Sequence, residues 1–344
     1  MKKGLKLFSI LAVAILMMSI LAACGGGGSE SASNGDSGNK KTKELKLGFN
    51  QPENHPQYKA MEEFSEKFYE ETDGAYRIKI YPNELLGAQR EVLELVQSGT
   101  VSMSITPGSL LENINKDFVV FNLPYVFDSV DHQQAVLNDP EVTGELFSSL
   151  EDQGLTVLGG FHGGVRNVYN SEKPVNTPED LAGMKIRVME SDTNIQMMEY
   201  MGGVGTPMGQ GEVYTAIQSG VIEGGENNEL IYNNLKHVEI APYYTYTQHL
   251  MVPDYLMINA DVLKGMSEEH QKLLREGIVS AFDREFELFA EFVAEAKASA
   301  EEQGAKFNEV DIKVFQDAVA PLLEEKLEND FQKGLYEKVR ELAQ

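Results

Sequence analysis

The sequence predicts an α/β protein of two lobes spanned by one long helix, and three observations carry that expectation. Its 344 residues, 42% of them hydrophobic, provide a large core and exceed the usual size of one compact unit. Strand-like and helix-like segments alternate in two separate series along the chain. Finally, residues 267–303 form one amphipathic stretch dense in Glu, Ala, Leu and Phe. As a helix it would run about 50 Å, longer than one lobe.

The elements follow in order. Residues 1–6 carry Lys2, Lys3 and Lys6 and no acid, and residues 7–21 are an unbroken apolar and small run that leads into Leu21-Ala22-Ala23-Cys24. That run suits a secretory leader and is short for a membrane-spanning helix. The pattern resembles a bacterial lipoprotein signal peptide, which implies cleavage before Cys24, a diacylglyceryl thioether on its sulfur, and an extracytoplasmic chain anchored by that lipid to the cell membrane. Losing residues 1–23 removes three lysines and no acid, so the net charge of −25 becomes −28. Cys24 is the sole cysteine, which excludes disulfides, thiol catalysis and cysteine-ligated zinc in the rest of the chain. Residues 24–43 read as a lipid-anchored Gly/Ser tether. Its four glycines lack the Gly-Lys-Ser/Thr of a phosphate loop, and Ser37-Gly38-Asn39-Lys40 matches a serine-hydrolase pattern by letters alone.

Residues 44–50 alternate as a strand, 58–71 repeat apolar residues at helical spacing, and 76–81 alternate again. A second helix at 87–98, closed by Gly99, and a third strand at 101–106 complete a first series, which favours a mostly parallel sheet. The second series runs through a strand at 155–161, a helical segment at 176–183 and a strand at 185–188; Thr177 caps the helical segment and Pro178 opens it. Helices at 193–200 and 212–218 lead to a turn at Gly224-Gly225, and 254–259 read as a further strand ahead of the long helix. Bracing both lobes is the natural role for that helix, and a coiled-coil dimer is the alternative. No internal repeat points to a solenoid.

Charge narrows the function. The 54 acids against 29 basic residues argue against nucleic acid or an anionic membrane surface as the main partner. Only seven of the basic residues are arginine, yet Arg166 and Arg187 lie close together in the sequence, in the strand-like runs Gly163-Gly164-Val165-Arg166 and Lys185-Ile186-Arg187-Val188. A guanidinium is always charged and its planar fork matches a carboxylate, so arginines in such runs point to acid partners. Those partners are either a ligand or ordinary ion-pair carboxylates such as Glu190 and Asp192.

Between residues 163 and 230 the chain reads Gly164-Val165-Arg166-Asn167, Pro178-Glu179-Asp180-Leu181-Ala182-Gly183-Met184-Lys185-Ile186-Arg187-Val188, Thr206-Pro207-Met208, Glu212-Val213-Tyr214-Thr215-Ala216-Ile217-Gln218-Ser219-Gly220 and Gly224-Gly225-Glu226-Asn227. In that order and spacing, with Asn50-Gln51-Pro52, His55-Pro56, Tyr81-Pro82, Leu86-Gly87 and Leu123-Pro124-Tyr125 before it, it resembles the solute-binding proteins of tripartite ATP-independent periplasmic (TRAP) transporters. The resemblance implies a two-lobed, Venus-flytrap, periplasmic-binding-protein-like fold, with residues 44–163 plus about 254–290 in lobe I and 164–253 plus about 291–344 in lobe II. It implies a protein without chemistry of its own that captures an organic acid, either a sugar acid such as a uronate or a C4-dicarboxylate, and delivers it to membrane permease subunits. Arg187 would make the principal bidentate salt bridge to the carboxylate, Arg166 a second contact, and Asn227 would orient it, with Asn50 and His55 facing the solute from lobe I. Three departures bear on the pocket wall: Met189 where proline is common after the Arg-Val pair, Gln210 where an aromatic residue is common, and Gly225-Glu226-Asn227-Asn228 in place of Gln-Glu-Asn-Pro. Gln210 makes the pocket more polar and favours a hydroxylated acid.

Each residue also has a plainer reading. Asn227 after two glycines suits a turn, and a Pro-flanked histidine such as His55 is often merely exposed. His162 and His249 read as structural, and Tyr214 sits at a helical position where core and site are both open. Glu223, Glu226 and Glu229 cluster without histidine, which argues against a metal, and no cofactor is expected. The competing function is a secreted hydrolase or lyase using paired carboxylates, although neither G-x-S-x-G nor H-E-x-x-H occurs.

Overall fold

The computed structural model describes residues 41–343; the leader, Cys24 and the tether as far as Lys40 lie outside the described residues. Strand β1 (Lys43–Gly48), the helix Pro56–Glu71 and strand β2 (Tyr76–Tyr81) form as the alternating and helical periodicities require. The helix begins where His55 Nδ1 accepts a hydrogen bond from the Gln57 amide with Pro56 in the first turn. Strands β3 (Met103–Pro107) and β4 (Leu155–Phe161) complete most of a first sheet, and β5 (Arg166–Asn170), β6 (Lys185–Val188), β7 (Val204–Pro207) and β8 (Gly224–Asn227) build a second. Strand β9 (Tyr243–Leu250) joins the second sheet, β10 (Asp254–Asn259) returns to the first, and β11 (Lys306–Glu309) edges the second.

The first sheet has the order β2-β1-β3-β10-β4 and the second β11-β9-β5-β8-β6-β7. Both are mixed, where alternation alone suggested mostly parallel pairing. The difference lies in the crossings: β10 runs antiparallel to β3 and β4, and β5 runs antiparallel to β8 and β9, because the chain enters and leaves the second sheet through direct strand connections without a helical crossover. The segments 162–165 and 251–253 carry those crossings side by side. A Cβ on Gly163 would overlap the Val252 carbonyl oxygen, and Gly164, at φ +84°, lies against the Asn228 side chain.

Each sheet is covered on both faces by buried apolar clusters. The helix Glu268–Glu302, capped by Ser267, contributes Leu274, Ile278 and Phe282 to the core of the first sheet and Ala300 to that of the second, so one element braces both lobes. Among the described residues no helix is long and apolar enough to cross a membrane.

Three local readings differ. Gly224-Gly225 is strand rather than turn: neither residue needs positive φ, and the absent side chains leave room for Tyr169 of the neighbouring strand. The helical segment after Thr177 is a short 3₁₀ turn, Pro178–Leu181. The last helix, Asp330–Glu341, packs Leu335 and Val339 into the first-lobe cluster with Phe118 and pairs Arg340 with Asp128 at 2.7 and 2.9 Å, although its sequence position groups it with the second lobe.

Candidate functional site

Strand β8 lies between β5 and β6, with Asn167 opposite Asn227 and Arg187 opposite Gly225. That pairing brings Arg166, Arg187 and Asn227 together, although up to 61 residues of chain separate them. All three line one cavity beneath the crossing strands, together with Gln51 and His55 of the first lobe, Gln210 of the second and Asp254 at the start of β10. Its volume is about 30 Å³. A more open cavity of about 470 Å³ lies beside Glu112, Asp192 and Lys326, but it holds no buried arginine.

The two arginines occupy different electrostatic positions. Arg166 binds Glu226 in a bidentate fork, Nε to Oε2 at 2.5 Å and Nη2 to Oε1 at 2.7 Å. Nη2 also donates to the Glu226 carbonyl at 2.8 Å and Nη1 to Asn227 Oδ1 at 3.2 Å. Of the five guanidinium hydrogens, one on Nη1 is left for the cavity. Burial alone would push the Glu226 carboxyl up, but the Arg166 charge and the neighbouring His249 ring, 3.4 Å from Oε2, hold it down at about 2. Arg187 is equally buried, at 4% exposure, yet among the described residues it makes one hydrogen bond, Nε to the Met208 carbonyl at 3.0 Å, and no ion pair. Burial pulls its pKa down, with Glu226 acting the other way. Glu190, a candidate partner by sequence, pairs with Arg90 instead, at 3.6 Å. Of the two arginines, Arg166 is thus committed to Glu226, and Arg187 has no carboxylate partner among the described residues.

Gln210 closes the cavity across the lobes. Its Oε1 accepts from Asn50 Nδ2 at 2.9 Å and Gln51 Nε2 at 3.1 Å, while Gln210 Nε2 and Gln51 Oε1 are buried without partners. His55 is buried against Phe49 and Phe289, which depresses its pKa to about 3 and keeps the ring neutral. Since its Nδ1 accepts the Gln57 amide, its Nε2 carries the hydrogen. His55 is thus helix cap and cavity wall together. Asn227 uses its Oδ1 to accept from Arg166 and the Asn228 amide.

Tyr214 stands apart. Its hydroxyl donates to Glu239 Oε2 at 3.0 Å on the surface of the second lobe, because its turn of helix presents Val213 and Ile217 to the core. Two of the three clustered glutamates go separate ways, Glu226 to Arg166 and Glu223 to the Lys185 amide, and among the described residues no group of three or more possible ligands could hold a metal.

Sequence reasoning passed over four polar groups around the cavity: Glu226, Gln51, Gln57 and Asp254. Glu226 is one acid among 54, and only its position between two glycines and Asn227 marked it out. Asp254 opens an otherwise apolar strand, Asp254-Tyr255-Leu256-Met257-Ile258, and an acid there was the available signal.

Behind the crossing strands, Glu285 of the long helix is fully buried. Its Oε2 accepts the His162 amide at 3.1 Å, and Oε1 has no partner. Burial pushes its pKa well above the ordinary 4.5, against the weaker pull of that amide. A raised carboxyl favours the fold when protonated and weighs against it as pH climbs from the unfolded value towards the folded one. Glu285→Gln should therefore match the parent near pH 4 and exceed it increasingly above that, by up to about 1.4 kcal/mol per pH unit. Denaturant unfolding at several pH values measures this, and a pH-independent difference would contradict it.

With this geometry in view, the relatives are informative. The family model for bacterial extracellular solute-binding protein, family 7, matches residues 47–330. A solute-binding protein of Chromohalobacter salexigens is 35% identical over 275 residues, 80% of this chain and 82% of that one. A TRAP periplasmic solute-binding protein of Anaerococcus prevotii, solved with bound α/β-D-glucuronate, is similar with a TM-score of 0.85 and 39% identity, over 88% of this chain and 98% of that one. Another, from a Sulfitobacter species with bound β-D-galacturonate, has a TM-score of 0.83 and 33% identity, over 87% and 100%.

Proposed function

The chain belongs to the bacterial extracellular solute-binding proteins of family 7, the binding proteins of TRAP transporters, and from that premise we propose that its solute is a hexuronate, captured outside the cytoplasm and passed to a membrane permease. Membership of that family makes it a binding protein and not an enzyme. The observation that carries the uronate reading is Arg187: a buried guanidinium with one backbone hydrogen bond and no carboxylate partner among the described residues. A ligand carboxylate supplies the missing partner in bidentate geometry. The remaining Nη1 hydrogen of Arg166, the Asn227 amide and His55 Nε2 surround it.

The closed latch favours hydroxyls elsewhere on the ligand. Gln51 Oε1 needs a donor and Gln210 Nε2 an acceptor, and a sugar hydroxyl offers both. The bound glucuronate and galacturonate of the similar structures are of this chemistry. Gln210 ties the lobes across this cavity through Asn50 and Gln51, so those two hydrogen bonds break whenever the lobes part.

The reading is tested by thermal denaturation with glucuronate, galacturonate, aldonates and C4-dicarboxylates. A uronate at hundredfold excess over its dissociation constant should stabilise the protein by about 2.7 kcal/mol, and no stabilisation by any of these acids would overturn the reading. The anchor is a separate part of the proposal: a thioether-linked lipid at Cys24 holds the protein to the membrane, supported by the leader pattern Leu21-Ala22-Ala23-Cys24. Cys24→Ser should move the protein from the membrane to the soluble fraction, and unchanged fractionation would contradict the anchor.

A further inference from the structure

We infer that Asp254 is a specificity-determining residue that accepts a ligand hydroxyl and excludes a second carboxylate, so that the site takes polyhydroxy monoacids and rejects diacids of the same skeleton. This rests on the uronate reading and goes beyond it, from what the site holds to what it refuses.

Charges enclosed in this cavity need partners. Two cations reach the cavity, and the Arg166 charge is already balanced by Glu226 at 2.5 Å. Arg187 is the one lining cation without an ion pair among the described residues. The other acids around it add nothing to attract a second. Glu190 is engaged with Arg90. Glu84 of the first lobe approaches Gly211, and its Oε1 is buried without a partner. Asp254 lines the cavity and has no ion pair among the described residues. A second carboxylate entering this enclosure would meet Asp254 with no unpaired cation beside it among the described residues, and an ionised Asp254 repels it strongly in a desolvated site.

Asp254 is also held in place for recognition. Its Oδ2 accepts from Gln57 Nε2 at 2.8 Å, and the same nitrogen lies 3.3 Å from the His162 carbonyl. That tie fixes the side chain at the junction of the crossing segment and β10, and among the described residues no hydrogen bond engages Oδ1. Burial raises the Asp254 pKa, with Gln57 and Arg166 pulling the other way. In either protonation state Oδ1 can accept a hydroxyl hydrogen, while facing a second carboxylate with an ionised Asp254 is unfavourable. A neutral polyol without a carboxylate would leave Arg187 unpaired, so the two residues together bracket the solute: one negative charge, with hydroxyls beyond it.

The test is calorimetric titration of the full chain in mild detergent with D-glucuronate and D-glucarate, which share six carbons; glucarate carries a second carboxylate at C1 and is open-chain, and comparing the parent with a charge-free variant cancels the difference in ring form. The parent protein should bind glucuronate at least about a hundredfold more tightly than glucarate. Asp254→Asn, which keeps the shape and removes the charge, should weaken glucuronate about tenfold and narrow the ratio by at least about tenfold. Equal affinities in the parent overturn the inference even if the variant fails to fold. An unchanged ratio in a folded Asp254→Asn also overturns it, while glucuronate binding by the parent leaves the uronate reading standing. Failure of the parent to bind glucuronate at all sinks that reading, and this inference with it.

Discussion

Replacing Arg187 with alanine is expected to remove most of the affinity for acid ligands while leaving the unliganded protein at least as stable as before. Truncating one partner of a buried, hydrogen-bonded charge pair costs about 2–5 kcal/mol, a rise of roughly thirty- to several-thousandfold in Kd. Stability is spared because the unliganded protein gains little from this side chain. Its only bond among the described residues runs to the Met208 carbonyl, and it holds a desolvated cation without an ion pair there. Arg187→Lys should recover the charge but not the fork, and so recover affinity only in part. Calorimetry with glucuronate, beside thermal melting without ligand, separates the two effects. Unchanged affinity in Arg187→Ala would remove the basis of the proposed function.

Replacing Arg166 with alanine should do the reverse and destabilise the unliganded fold by about 3–5 kcal/mol, because it abandons a fully buried Glu226. Glu226 is held at about 2 by that arginine and by His249, so its charge persists at neutral pH and has nowhere else to go. The sign of the pH dependence follows. A carboxyl depressed in the fold stabilises above its unfolded value of about 4.5, and that contribution is lost as pH falls towards 2. Replacing both members with leucine should restore much of the loss, since a matched apolar pair removes the unpaired charge. Denaturant unfolding of the three variants decides the matter; an Arg166→Ala protein as stable as the parent would show that the ion pair contributes little.

The contrast between the arginines marks the limit of what could be read from residues in order. Arg187 stood out because a permanently charged group inside Ile186-Arg187-Val188 calls for a counter-charge, with a ligand, Glu190, Asp192 or another carboxylate as the candidates. Arg166 gave the same signal and proved different, because its partner lies 60 residues away on the strand beside it. Tyr214 was ambiguous for a related reason: helical spacing says that one face is covered, but not whether a tyrosine on the flank points to a cleft or to a surface glutamate. Gly224-Gly225 looked like a turn because two glycines permit one; the reason they are needed is Tyr169 on the neighbouring strand.

Local periodicity and capping determined the helices, the strands and the long brace from Glu268 to Glu302, because these depend on residues within a few positions of one another. Composition set the acidic character of the chain and the scarcity of arginine. Tertiary structure alone decided that Arg166 meets Glu226 while Arg187 meets no carboxylate among the described residues, that Gln210 bridges the lobes to Asn50 and Gln51, and that Asp254 stands at the same cavity as Arg187. Ion pairing and hydrogen bonding act over a few ångströms, and strand order, not spacing along the chain, brings distant residues within that range.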